Sequence, residues 1–297
     1  MTDFVDLHLH LGSSSTPHFL WELAHEQGIR LSQKDYWSFI SSITIKEQTT
    51  YDNYLHFFDL TELIQSSTFA IERSTHEAIS RSYRKGNIKT IEVRFNPMLR
   101  NKGGEQDLDK IIFGAIVGMK HACLEYPVKA GLILMMDRRF SKEQNEIIAA
   151  KAAKFTSEGV VGLDVAGPLN ENFHIQDLVD AVHTARKAGV KITIHTGEVT
   201  TASEMWEVVT LLQPDRIGHG IRCVDDPKLM DYLREHNIVL EVCPTSNLQT
   251  SAVKTWDEMG TIIETLKKYQ VPFTINSDGP ELLGINVKEE FERLIAK

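Results

Sequence analysis

The chain has 297 residues, 42% hydrophobic and 25% charged, with a formal net charge of −9. That length and composition allow a large buried core and suit a soluble globular protein of one or two domains. The negative charge argues against nucleic acid or an anionic membrane as a partner and leaves a small neutral ligand open.

The chain enters a strand at once, "FVDLHLH" at 4–10, without the basic and apolar regions of a signal peptide. His8 and His10 sit two apart on it, so both side chains point the same way. Residues 11–88 then carry several helical stretches, including "TPHFLWELAHEQG" and "TYDNYLHFFDLTELI", expected to lie over one mouth of the fold as an insertion. From there short apolar runs alternate with amphipathic ones. The strand-like runs are "KTIEVRFNP" (89–97), "VKAGLILMMD" (128–137), "VVGLDVAG" (160–167), "KITIHTGE" (191–198), "DRIGHG" (215–220), "IVLEVCP" (238–244) and "PFTINSD" (272–278). Most are β-branched and nearly continuous in apolar character, as strands buried on both faces are.

Helical spacing recurs between them at 107–125, at 141–155 behind Ser141, and at 177–189, which closes on a glycine. Eight strand–helix units in succession predict a closed (β/α)8 barrel over residues 1–297 as a single domain. A doubly wound open sheet is the alternative, but no glycine-rich phosphate loop follows the first strand. Cys123, Cys223 and Cys243 form neither a disulfide framework nor a thiolate zinc site, and no apolar run approaches the length of a membrane span. The expectation is a cytoplasmic protein.

Strand C-termini of such a barrel converge on one face. His8, His10, His195, His219 and Asp278 all fall at strand ends, and Glu198 follows His195 by three residues. A lone histidine in a strand, or an acid after one, is ordinary core or capping chemistry. Their convergence on one mouth is not. Imidazoles with one carboxylate suit a divalent metal such as zinc, which lowers the pKa of a bound water from about 15.7 to about 7. Glu198 is placed to donate a proton to the substrate. A role orienting the attacking hydroxide is open to His219.

The segments "DLHLHL", "VGLDVAG", "IHTGE", "RIGHG", "VCPTSN" and "INSDGP" resemble, in order and spacing, the adenosine/AMP deaminase family of metal-dependent amidohydrolases. The likeness runs from residue 4 to about residue 280. It implies one zinc per chain on His8, His10, His195 and Asp278, with Glu198 protonating a ring nitrogen and His219 orienting the hydroxide. It also implies that Gly167 brings its backbone close to the purine. The implied reaction replaces a purine 6-amino group by a 6-oxo group. The thiolate-ligand deaminase motifs H-x-E and P-C-x-x-C do not occur.

Two positions depart from the resemblance. Gly279 stands where an acid would follow the metal aspartate, and Gly12 stands where an acid would follow the HxHL stretch. Both are expected substrate-contact positions. Loss of one partner of a buried hydrogen bond costs about 1–3 kcal/mol. Three explanations stay open: substitute contacts from Ser13, Ser14, Ser277 or Glu281; a pocket for a modified purine or another aminated heterocycle; or a silent nucleoside-binding protein. The resemblance also implies further helices after the last strand, whereas here one helical stretch leads to Lys297. A shortened or naturally short member is the expectation.

Overall fold

A computed structural model describes residues 4–295. Eight parallel strands follow one another around a single sheet: β1 (Phe4–His10), β2 (Ile88–Phe95), β3 (Lys129–Asp137), β4 (Val160–Ala166), β5 (Lys191–Thr196), β6 (Arg216–His219), β7 (Val239–Val242) and β8 (Phe273–Ile275). The ring closes where the chain just beyond β8 meets β1. Asp278 N donates to His8 O at 2.9 Å and His10 N donates to Asp278 O at 2.8 Å, forming a parallel bridge between Leu9 and Asp278. The sheet therefore has no open edge, and the fold is the (β/α)8 barrel rather than the open sheet. The eighth strand is shorter than its apolar run, and Asp278 stands three residues past its end.

Eight helices pack outside the strands: α4 (Thr68–Gly86), α5 (Leu108–Glu125), α6 (Lys142–Lys154), α7 (Val179–Lys187), α8 (Ala202–Leu211), α9 (Pro227–Glu235), α11 (Trp256–Tyr269) and α13 (Val287–Ile295). Their starts are written locally. Ser67, Ser141, Thr201 and Thr255 each accept a backbone N–H of the first turn, and Ser141 with Gln144 forms a capping box. The core lies between strands and helices. One cluster joins β1–β5 to α4–α7 through residues such as Ile79, Ile91, Ile116, Leu163 and Ile194. A second joins β6–β8 to α8, α9 and α11 through Ile217, Leu233, Leu240 and Ile263. Each fully buried aliphatic side chain there contributes about 1.5–3 kcal/mol.

Between β1 and β2 lie four helices: α1 (Pro17–Glu26), α2 (Tyr36–Ser42), α3 (Tyr51–Ile64) and α4. α4 packs against α5 and β2 as an outer helix of the barrel. α3 instead carries Tyr51, Tyr54 and Phe58 into the wall of the cavity at the strands' C-terminal ends. Two short helices, α10 (Pro244–Gln249) after β7 and α12 (Pro280–Leu283) after β8, complete that end of the molecule.

Candidate metal and catalytic centre

The barrel interior becomes polar towards the strands' C-terminal ends. Leu7 to His10 alternate about β1 so that His8 and His10 point inward, their ring centroids 5.2 Å apart. β5 adds His195, whose ring lies 4.5 Å from that of His8, and β6 adds His219 at 4.9 Å from His8. Asp278 reaches the same point. Its Oδ1 lies 3.3 Å from His10 Nε2 and 3.9 Å from His8 Nε2. His219 and Asp278 have left-handed backbones, φ 61° and 60°. Non-glycine residues rarely adopt that conformation, and it collects at functional sites.

A second layer holds the imidazoles in place. Glu241 of β7 meets His8 Nδ1 at 2.8 Å, and Asp164 of β4 meets His195 Nδ1 at 2.9 Å. Arg94 of β2 bridges both acids, at 2.8 Å to Asp164 and 2.6 Å to Glu241, with all three side chains fully buried. Burial alone would raise the Asp164 pKa, but the neighbouring His195 and Arg94, with their hydrogen bonds, outweigh it and hold the carboxyl low. Carboxylates on Nδ1 turn each Nε2 towards the middle of the barrel. This is the orienting arrangement of metal-ligating histidines.

The donor set fits a divalent cation. His8 Nε2 is buried without a hydrogen-bond partner, and His10 Nε2 faces His195 Nε2 at 3.2 Å. The ligand atoms of His8, His10 and His195 all lie within 4.8 Å of one another, as do those of His8, His219, Cys243 and Asp278. Burial, with the neighbouring positive groups, pushes His8 and His10 well below the usual histidine range and keeps them neutral. Lone pairs converging on one point repel unless a cation sits among them. Cys243 is fully buried and its Sγ turns to Glu241 O at 3.4 Å.

Glu198 lies beside this cluster on the cavity wall. Burial and the Asp278 charge raise its pKa to about 8, against the lowering hydrogen bond from Thr250 Oγ1 at 3.1 Å. It therefore keeps a proton at neutral pH. His219 Nε2 stands 3.6 Å from Glu198 Oε2, and His219 Nδ1 lies 2.9 Å from the Asn247 side-chain amide. Ser246 Oγ donates to Asp278 Oδ2, as does Tyr54 Oη at 3.3 Å.

The cavity has a volume of about 410 Å³ and is lined by His10, His195, Glu198, His219 and Asp278 together with Gly12 and Gly167. Gly167 has φ +103°, and a side chain there would meet Asp137 Oδ1 at 2.8 Å, so its backbone faces the cavity bare. Gly279 is not part of the lining. A Cβ on Gly279 would lie 2.8 Å from Ser13 Oγ, and a Cβ on Gly12 would lie 2.7 Å from Phe58 Cδ1. Neighbours thus fill both vacated spaces. The four polar residues considered as substitutes are engaged elsewhere: Ser13 and Ser14 bond His10 O, Ser277 bonds Asp6, and Glu281 pairs with Arg81.

Sequence reasoning missed the supporting residues: Arg94, Asp164, Glu241, Ser246, Asn247, Thr250 and Tyr54. Three of them carried a legible signal. A charged residue inside a doubly buried strand, as in "IEVRF", "GLDVA" and "VLEVC", requires a partner.

Comparison with known proteins shows the family and the fold. The family model described as adenosine deaminase matches residues 4–297. An adenosine deaminase of Vibrio vulnificus (strain YJ016) is 30% identical over 98% of this chain and 87% of its own. Among solved structures, an adenine deaminase from Arthrobacter aurescens superposes with a TM-score of 0.89 at 22% identity, covering 100% of this chain and 88% of that one. An amidohydrolase from Burkhoderia ambifaria, solved with bound Zn, gives 0.87 at 21% identity, covering 99% and 79%. With a family-model match over residues 4–297 and a relative 30% identical over 98% of this chain, the protein belongs to the adenosine deaminase family.

Proposed function

We propose that the protein is an aminohydrolase that deaminates a 6-aminopurine nucleoside, of the adenosine-to-inosine type, with one zinc per chain. The observation that carries this reading is the buried Glu198 carboxyl standing beside the histidine–aspartate cluster on one cavity wall. His8, His10, His195 and Asp278 would hold the zinc, whose chemistry is to make a water nucleophilic at neutral pH.

The remaining work belongs to the chain's own residues. Glu198 gives its proton to a ring nitrogen of the purine, drawing electrons from the carbon that bears the amino group. His219, held through Asn247, orients the water's attack on that carbon. The C–N bond then breaks. One of the water's two protons passes to the leaving amino group, which departs as ammonia; the other returns to Glu198, and a carbonyl remains where the amine was. Gly167 lets the purine edge lie against bare backbone. Its three free cysteines are in keeping with a reducing, cytosolic setting.

A second reading is favoured by Gly12, which lines the cavity without a side chain, 3.4 Å from Arg100 Nη2 at its Cβ position. There the substrate is a purine nucleoside modified at its sugar end. Ammonia release by the zinc-loaded protein, measured on adenosine, deoxyadenosine, a 5′-modified adenosine, a nucleotide and an N6-methylated purine, decides between them. Turnover of adenosine supports the first reading, and turnover of a modified member alone supports the second. A zinc-bound protein that releases no ammonia from any of them refutes both.

A further inference from the structure

Glu290 is a carboxylate that the proposed chemistry does not use, yet it is fully buried. It belongs to α13, whose neighbouring acids and bases are mostly surface groups in "VKEEFERLI". Its Oε1 accepts the backbone N–H of Thr245 at 3.0 Å, and its Oε2 has no partner. Burial pushes its pKa up to about 8, so it stays protonated at neutral pH. A buried carboxyl with one hydrogen bond is a poor stabiliser compared with a well-packed leucine. What it does hold is the start of α10.

α10 is six residues long, Pro244–Gln249, and its N-cap residue Cys243 makes no side-chain cap. A helix so short is not stable by itself, and its first-turn N–H groups need acceptors from outside. Glu290 supplies one of them from 45 residues further along the chain. Arg293, one turn on in α13, adds a bond to Thr245 Oγ1 at 3.3 Å. From this anchored segment three side chains reach three different groups of the centre. Ser246 bonds Asp278, Asn247 meets His219 at 2.9 Å, and Thr250 bonds Glu198 at 3.1 Å.

We propose that Glu290 is a positioning residue: by anchoring α10 it sets the places of Asp278, His219 and Glu198 at once. The inference rests on the deaminase reading for its kinetic consequence and not for its geometric one. A displacement of α10 by about half an ångström is enough to disturb a catalytic constellation.

The test uses Glu290→Leu, which keeps the volume and removes the acceptor, and Glu290→Gln, which keeps both. Two readouts are taken on the whole 297-residue chain. One is kcat and KM on whichever substrate the wild type turns over. The other is the ¹⁵N spectrum of the His219 ring in the zinc-free protein, which reports the tautomer and hydrogen bond set by Asn247. Glu290→Leu should lower kcat by about 10- to 100-fold with little change in KM, and should alter the His219 ring signals. Glu290→Gln should restore both. A folded Glu290→Leu protein with unchanged ring signals overturns the proposal. If Glu290→Leu does not fold, Glu290→Met, which also removes the acceptor for Thr245 N–H, takes its place: altered His219 signals support the anchor, and unaltered ones overturn it. A wild type without any turnover would defeat the deaminase reading alone, because the ring signals still decide the role of Glu290.

Discussion

Glu198 and Asp164 are both buried carboxyls, and their surroundings drive them in opposite directions. Asp164 lies against the Arg94 guanidinium and the His195 ring and stays ionised, as an orienting group must. Burial, with the acid Asp278 adding to it, raises Glu198 so that it holds its proton to about 8. A proton donor loses its useful form as pH rises through that value, so kcat/KM is expected to fall above about pH 8 and not at the usual glutamate range. A pH–rate profile checks this, and a plateau extending well beyond that pH counts against Glu198 as donor. Glu198→Gln keeps shape and removes the acid. It should lower kcat by about 10²- to 10⁴-fold while zinc content and melting temperature stay near wild type.

α3 and the β1–α1 turn have to be read together. Phe58 fills the space beside Gly12, and Ser13 fills the space beside Gly279, with Tyr54 Oη 3.5 Å from the same Cβ position. The two glycines are therefore requirements of packing as well as missing contacts. Gly279→Asp alone pushes a Cβ against Ser13 and is expected to lose about 1–3 kcal/mol by overpacking. Gly279→Asp with Ser13→Gly should recover most of that loss, giving a coupling of about 0.5–3 kcal/mol in a denaturation cycle. Additive losses in the cycle would mean that Ser13 is not what excludes a side chain at residue 279.

For the whole molecule, the polar interior of the barrel is a single charged network. Arg94 joins Glu241 and Asp164, while Arg216 reaches Glu241 at 2.9 Å and Glu92 beside it. Strands β2, β4, β6 and β7 are thus tied through their inward side chains as well as their ladders. Arg94→Met leaves two buried carboxylates short of a partner and is expected to cost about 3–5 kcal/mol in urea denaturation. It should also weaken zinc binding, because the acids that aim His8 and His195 lose their own support. A variant as stable as the wild type would show that water or proton uptake replaces the guanidinium.

The strand order, the eight-fold repeat and the convergence of His8, His10, His195, His219 and Asp278 at one mouth were legible in the chain by itself. Periodicity is local, and strand C-termini of a barrel meet whatever the loops do. The tertiary structure alone decided what surrounds them. Nothing local in "PTSN" announces that Ser246 and Asn247 reach residues on β6 and beyond β8, and nothing in "KEEFERL" separates buried Glu290 from exposed Lys288. Nor does the sequence say that Ser13 and Phe58 occupy the spaces beside Gly279 and Gly12. Such contacts join positions tens to hundreds of residues apart, and whether a polar group is buried, paired or left bare is settled by three-dimensional neighbours rather than by the pattern along the chain.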